Sequence, residues 1–414
     1  MEKDKIYDVI VVGGGAAGLM AAGRAAERGK SVLLLEKNKR VGEKLRISGG
    51  GRCNITNAEF DERLLLKAYG KAEQFLYSSF AQFGVKDTFD FFEKLGVPLE
   101  VEAHKRAFPK TRRAADVVVA LEKYVRKGGV EVRTGSPVTK IVHDDGRITA
   151  VHCGDKEYTA KNFIFATGGV SHPETGSTGD GFKWLKDLGH TVAAPTPTIV
   201  PLRIAELWVK RLAGIALPGI KITFFVDGKK AFAKSGKLLC THFGISGPLV
   251  LNSAGAVADL LHSGAVTATI DLHPTSDVGV LERKVVALFD ANKNKTLRNV
   301  LKFLVPEGAA KGILLLVPKE LVEKKVHSIT RDERKALVQT LKNLPLTIEG
   351  LMGFDRAVVA DGGVPLSEVD TKTLRSKKIS NLFLTGDLLH ISRPSGGYSL
   401  QLCWTTGYVA GDTA

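Results

Sequence analysis

An α/β fold, interrupted midway by a β-rich and then a helical insertion, is what this sequence predicts, and three observations carry the prediction. The first is the opening run Tyr7-Asp8-Val9-Ile10-Val11-Val12-Gly13-Gly14-Gly15-Ala16-Ala17-Gly18, answered by Ser31-Val32-Leu33-Leu34-Leu35-Glu36. It reads as strand, glycine turn, alanine-rich helix over 16–28, second strand and acid. The second follows a helical run at 114–127: short strand-like runs at 130–133, 138–143, 147–153 and 156–160, with Asp144-Asp145-Gly146 as a hairpin turn. They lead into Asn162-Phe163-Ile164-Phe165-Ala166-Thr167-Gly168-Gly169. The third is a change of character after Pro195-Thr196-Pro197, strand-like and turn-rich to about 279 and helical from 280 to about 344. The earlier pattern resumes only at Ala357-Val358-Val359-Ala360-Asp361-Gly362-Gly363. The expected organisation is a discontinuous domain, 1–194 plus 350–414, with a barrel-like β domain at 195–279 and a helical domain at 280–349 inserted into it.

Each part of the opening unit has a chemical reason. Gly13 permits a tight turn, Gly15 lets the backbone approach a pyrophosphate, and Gly18 lets the helix pack close to its strand. Around Gly14, Ala16 and Ala17 the helix N-terminus offers unpaired N–H groups and a positive dipole end to a dianion. Glu36 is placed to accept hydrogen bonds from ribose hydroxyls, so a Rossmann-like dinucleotide site is expected. The β-meander ending in Ala166-Thr167-Gly168-Gly169 resembles the FAD domain of the glutathione-reductase superfamily, and Leu382-Phe383-Leu384-Thr385-Gly386-Asp387 resembles that superfamily's last strand. The resemblance implies FAD rather than NAD, with Val138, Ala166, Thr167, Gly168, Gly386 and Asp387 beside it.

Length and composition agree with an enzyme of two or three domains. The chain has 414 residues, and its apolar runs are broken by charges, which gives no membrane span. The start Met1-Glu2-Lys3-Asp4-Lys5 has no signal-peptide character, so a cytoplasmic setting is the default expectation. Cysteines at 53, 153, 240 and 403 form no Cys-x-x-Cys pair, which argues against a redox disulfide and against a metal site. Lys and Arg number 59 against 44 Asp and Glu, a net +15 that raises nucleic acid as a partner. The reading goes against it: Lys37, Lys39, Arg40, Lys44, Arg46 and Arg52 gather where an FAD pyrophosphate is expected, and no aromatic-interleaved basic stripe is visible.

A more specific resemblance runs from the first strand to the last helix. Ile47-Ser48-Gly49-Gly50-Gly51-Arg52-Cys53-Asn54-Ile55-Thr56-Asn57, Glu174-Thr175-Gly176-Ser177-Thr178-Gly179-Asp180-Gly181, Thr241-His242-Phe243-Gly244-Ile245-Ser246-Gly247-Pro248 and Gly396-Gly397-Tyr398-Ser399-Leu400-Gln401 closely resemble the HI0933-like flavoproteins. That family includes aminoacetone oxidase-like and bile-acid Δ4,6-reductase-like proteins, and the resemblance implies noncovalent FAD. Gly49, Gly50 and Gly51 can present N–H groups, and Arg52 a fixed cationic fork, to phosphate or flavin. Cys53 is expected to pack against the cofactor, with Lys37 and Asn54 nearby. A helix opened by Gly396, Gly397 and Tyr398 would aim its positive end at the flavin. Asp387 stands where the family more often has Glu, the stretch 390–395 replaces a usual Asp-x-x-Gly-x-Thr, and Ser399 replaces an Asn.

His172, His242 and His390 are the candidate acid–base groups, His172 first because it follows the strand end at Gly168-Gly169. No second Gly-x-Gly-x-x-Gly unit appears, so NAD(P)H is expected only as a transient donor. The leading expectation is an FAD-dependent oxidoreductase passing a hydride between flavin N5 and a small organic substrate held between the inserted domains and the FAD domain. An amine oxidase using dioxygen, a tRNA-modifying flavoprotein and a non-catalytic flavin-binding protein are the alternatives. Oligomeric state is not readable from the sequence.

Overall fold

The computed structural model describes residues 5–414; the charged start, Met1 to Asp4, lies outside the described residues. Five parallel strands form the centre of the larger sheet, in the order Glu131–Arg133, Val32–Leu35, Ile6–Val12, Lys156–Phe165, Leu382–Leu384. Arg147–Cys153 and Lys140–Asp144 extend it antiparallel from the start of Lys156–Phe165. The central strands are apolar throughout because both faces are covered: Val9, Ile10, Val11, Phe163, Ile164 and Phe165 have no exposed surface. From Ile6–Val12 the chain moves to one neighbour through the helix Ala16–Glu27, whereas the other neighbour arrives much later. The strand order therefore reverses at Ile6–Val12, and the crevice outside the carboxyl ends there is where open sheets of this kind take ligands.

The sequence reading separated 156–160 from 162–169, but Lys156–Phe165 is one strand. No glycine or proline interrupts it, and the half-exposed stretch around Lys161 is only the passage from the meander to the buried end.

The last helix, Tyr398–Thr413, packs along Ala16–Glu27 at close range. A Cβ on Gly407 would stand 2.4 Å from the Ala17 carbonyl oxygen, and one on Gly411 would stand 2.3 Å from that of Ala21. Only residues without side chains permit this approach, and it ties the chain's C-terminus to its first helix.

Two compact units emerge, residues 5–196 with 358–414 and residues 197–357. The second is built on a closed barrel ordered Leu202–Ile204, Gly244–Ser246, Lys229–Cys240, Ala216–Val226, Val266–Asp271, Leu344–Leu351. Where the sequence pattern separates β-rich from helical residues at 279, the final barrel strand, Leu344–Leu351, comes after the helices. The helical run expected from 280 to about 344 is broken: one short helix ends at Glu323, and Thr330 and Glu333 form a capping box that starts Arg331–Lys342 afresh. Among the described residues no helix is long and apolar enough to cross a membrane, and no cluster of metal-binding side chains is present.

Candidate functional site

The opening turn is shaped by backbone packing at two of its glycines and by openness at a third. Gly13 has φ +105°, and a Cβ there would lie 2.5 Å from the Ala166 carbonyl oxygen. At Gly18 it would lie 1.8 Å from the Gly13 carbonyl oxygen. Gly15 has nothing within 4 Å of a built Cβ, and its φ of −80° is open to any residue. Protein packing does not require glycine at 15, and without a side chain there the backbone is open to close approach. The helix that begins at Ala16, with Ala17 buried, has no side-chain cap and no acid in its first turn, which suits its first N–H groups to an anion. Buried Glu36 is held by the N–H of Gly14 at 2.6 Å and of Asn38 at 2.8 Å. Ser136 N–H donates to the Glu36 carbonyl at 2.9 Å, bringing the segment that leads to Val138 alongside.

The glycine loop is a run of left-handed backbone, with φ of +57°, +68° and +83° at Gly49, Gly50 and Gly51. Gly50 and Gly51 have no neighbour within 4 Å of a built Cβ, and consecutive glycines of this kind turn N–H groups outward. Arg52 departs from the expected free fork. Its guanidinium bonds Glu102 at 3.2 Å and lies 4.2 Å from the centre of the Phe108 ring, so it braces the loop. Cys53 is likewise wholly enclosed in the core beneath the loop, and burial pushes its thiol up to about 12, which leaves it inert. Asn54 joins the loop to the last helix: its amide accepts from the Gly397 N–H at 3.0 Å and donates to the carbonyls of Ala107 and Thr56. Gly397 itself must be glycine, since a Cβ there would meet the Thr56 carbonyl carbon at 2.3 Å. Gly396 has φ +119°, and the Tyr398 ring packs edge-on against Tyr69.

At the carboxyl ends of Lys156–Phe165 and Leu382–Leu384 lies a group of charges. Ala166 is anchored to Val12, Thr167 fills the place where a Gly181 side chain would go, and Gly168 has φ +73° with Ser177 and the Lys44 ammonium beside it. Lys44 has no hydrogen-bond acceptor among the described residues, and burial lowers its pKa against the opposing pull of Asp387. Asp387 meets an arginine the sequence reading missed. The Arg393 side chain is 1% exposed; it bonds Asp387, the Ile391 carbonyl at 2.7 Å and Ser399 Oγ at 3.1 Å. Burial pushes the Asp387 carboxyl up, but Arg393 and Lys44 outweigh it and hold the group below its ordinary range. Gly386 N–H donates to Thr406 Oγ1 on the last helix at 3.0 Å. The signal for Arg393 was present, an isolated cation three residues before a glycine pair that opens a helix. Lys37 is not free for a phosphate as the sequence suggested, because its ammonium bonds Thr178 at 2.6 Å and Asp180 at 2.8 Å.

The three histidines are placed differently. His172 adopts φ +52°, and its Nδ1 lies 2.8 Å from Glu174 Oε1, the arrangement that fixes an imidazole and leaves Nε2 for another partner. His390 is exposed, its backbone N–H bonded to the Val364 carbonyl. His242 belongs to the other unit, where it is exposed with its ring edge-on to Phe243.

An uncapped helix N-terminus, an open glycine, a buried acid at the second strand and an unpaired ammonium suit the pyrophosphate and ribose of a dinucleotide. With the meander and the last strand in place, the chain is an FAD-dependent oxidoreductase with a Rossmann-type FAD-binding fold and a separate β-barrel. It belongs to the HI0933-like family, whose Rossmann domain matches residues 7–413. Among its relatives, the 3-dehydro-bile acid delta(4,6)-reductase of Clostridium scindens is 29% identical over 413 residues, 98% of each chain. A ribosomal RNA dihydrouridine synthase of Haemophilus influenzae is 29% identical over 405 residues, 96% of each chain. In fold the chain is similar to the 3-ketosteroid-delta4-(5alpha)-dehydrogenase of Rhodococcus jostii, with TM-score 0.56 at 17% identity, covering 100% of this chain and 97% of that one.

Proposed function

We propose that this chain reduces a carbon–carbon double bond conjugated to a carbonyl, with NAD(P)H as transient electron donor. The observation that carries the reading is the chemistry shared by the two full-length relatives. Saturating a dienone and saturating the uracil ring of uridine both add hydrogen across a double bond polarised by a carbonyl. FAD bound in the cradle would supply hydride transfer at N5. The glycine loop, Lys44 and Glu36 would hold it, and Asp387 with Arg393 would set the charge around it. The hydride goes to the carbon remote from the carbonyl, and the proton to the adjacent carbon comes from His172, oriented by Glu174. The expected small-molecule substrate is retained as a probe, since a simple enone presents the same polarised bond.

The test is anaerobic stopped flow on the FAD-loaded protein. NADPH or NADH should bleach the oxidised-flavin absorbance, and a conjugated enone or a uridine-containing RNA should restore it. Bleaching by amines alone would replace this reading with an oxidase, and no bleaching by any donor would remove both. His172→Ala should slow reoxidation by the acceptor about 10²-fold or more while leaving reduction by NAD(P)H unchanged. Equal reoxidation rates would take the proton away from His172.

A further inference from the structure

We infer that the outer face of the barrel hairpin formed by Ala216–Val226 and Lys229–Cys240 is a docking surface for the phosphodiester backbone of RNA. The inference rests on the reductase reading above and names the partner that carries the double bond. Charge in this chain is unevenly distributed. Residues 197–357 hold 23 Lys and Arg against 14 Asp and Glu, a net +9 of the total +15 in well under half the chain.

Some basic groups of this unit are paired with carboxylates: Lys324 with Glu333, Arg298 with Glu323, Arg334 with Glu282 and Lys342 with Asp271. On the hairpin they are not. Lys221, Lys229, Lys230, Lys234 and Lys237 are all exposed, and among the described residues none has a carboxylate partner. The hairpin's one acid, Asp227, sits at the turn, where it accepts from the Ala265 N–H at 3.0 Å.

The register puts much of this charge on one face. Ile220, Ile222 and Phe224 are fully buried, so Lys221, Thr223 and Phe225 point the other way, opposite Ser235, Ala233 and Lys230. Lys237 precedes buried Leu238 and joins that face, and the next strand continues it with Thr267, Thr269 and Asp271, the acid lying opposite Lys221 with its charge taken up by Lys342. Ammonium groups interleaved with hydroxyls are what phosphate oxygens bind. A lipid surface would want apolar side chains to insert, and among the described residues no large exposed hydrophobic side chain lies on this hairpin.

The experiment uses the FAD-loaded protein and a fluorescein-labelled RNA stem-loop, with affinity followed by anisotropy as KCl is raised. The unmodified protein should bind with a steep salt slope. Lys221→Gln, Lys230→Gln and Lys237→Gln together should weaken binding at least tenfold and flatten the slope by about 2–3, since each phosphate contact contributes about −0.7 to −0.9. The Lys→Arg triple should keep the affinity. Bleaching by NAD(P)H should be the same in all three proteins, which shows that they are folded and loaded. Unchanged affinity and slope in the Gln triple, or equal binding to anionic phospholipid vesicles, would overturn the docking face. The two readings fail separately: RNA binding without reoxidation of the reduced flavin would sink the reductase and keep the face, and reoxidation by an enone without RNA binding would do the reverse.

Discussion

At the scale of single residues, the opening turn separates glycines that packing requires from one, Gly15, that it does not. Gly18→Ala drives a Cβ into the Gly13 carbonyl and should destabilise the protein by about 1–3 kcal/mol, read as a lowered Tm with or without FAD. Gly15→Ala meets open space and, at a helix N-cap, should cost no more than about 1 kcal/mol, yet lower the FAD-to-protein ratio after purification. Retained FAD in Gly15→Ala would move the pyrophosphate elsewhere. Arg393 and Asp387 give a second test. Arg393→Met leaves the part-buried Asp387 carboxylate without its partner and should cost about 1–3 kcal/mol, while Arg393→Met with Asp387→Asn should recover most of it. A double variant as unstable as the single one would show that Arg393 matters through packing alone. None of this pairing was legible in the sequence. Lys37, Arg52 and Lys44 look alike there, and only the fold shows that the first two are answered by Asp180 and Glu102 while Lys44 is not.

Elements of the larger unit are pinned by one buried polar chain. His190 Nε2 lies 2.8 Å from Ser376 Oγ, and its Nδ1 lies 2.7 Å from Glu368. The order is that of a nucleophile triad, but here it is a brace: the hydroxyl is buried and accepts the N–H groups of Lys378 and Ile379. Burial pushes the Glu368 carboxyl up, but hydrogen bonds from Lys378, Thr191 and His190 prevail and hold it at about 2. Its folded value lies below the ordinary 4.5, so its stabilisation is complete above that value and disappears as pH falls toward about 2. His190, lowered by burial, acts in the same direction, because the unfolded chain takes up its proton first. The Tm gap between the unmodified protein and Glu368→Gln should therefore be widest at neutral pH and close between pH 4.5 and about 2; a gap that widens on acidification would refute the brace. The contrast with the opening unit explains what a sequence can tell. The strand–glycine–helix unit is local, its period and turn residues contiguous, whereas the brace joins residues 190, 368 and 376, whose meeting depends on the whole fold. The closing barrel strand Leu344–Leu351 was missed for the same reason, since its partners lie near residues 203 and 268.

On the scale of the whole molecule, the insertion behaves as a body with its own reasons to fold. Its hydrophobic core draws only on residues 200–357, among them Trp208, Phe224 and Leu341, and the barrel closes without a strand from outside that range. Closure removes the free sheet edges that would otherwise need cover. The strands at its two ends, Ala193–Ile199 and Val359–Gly363, pair with each other, so entry and exit of the chain are neighbours. A protein made of residues 197–357 should thus unfold in one cooperative thermal transition. The complementary protein, with residue 196 joined to 358 through a short Gly-Ser linker, should retain FAD, because the glycine turn, Glu36, the Gly49–Gly51 loop, Lys44 and Asp387 all belong to it. RNA binding should go with the 197–357 protein and flavin absorbance with the other. A 197–357 protein with no cooperative transition would show that its core needs the larger unit, and loss of FAD from the complementary protein would mean that the cradle is completed by the insertion.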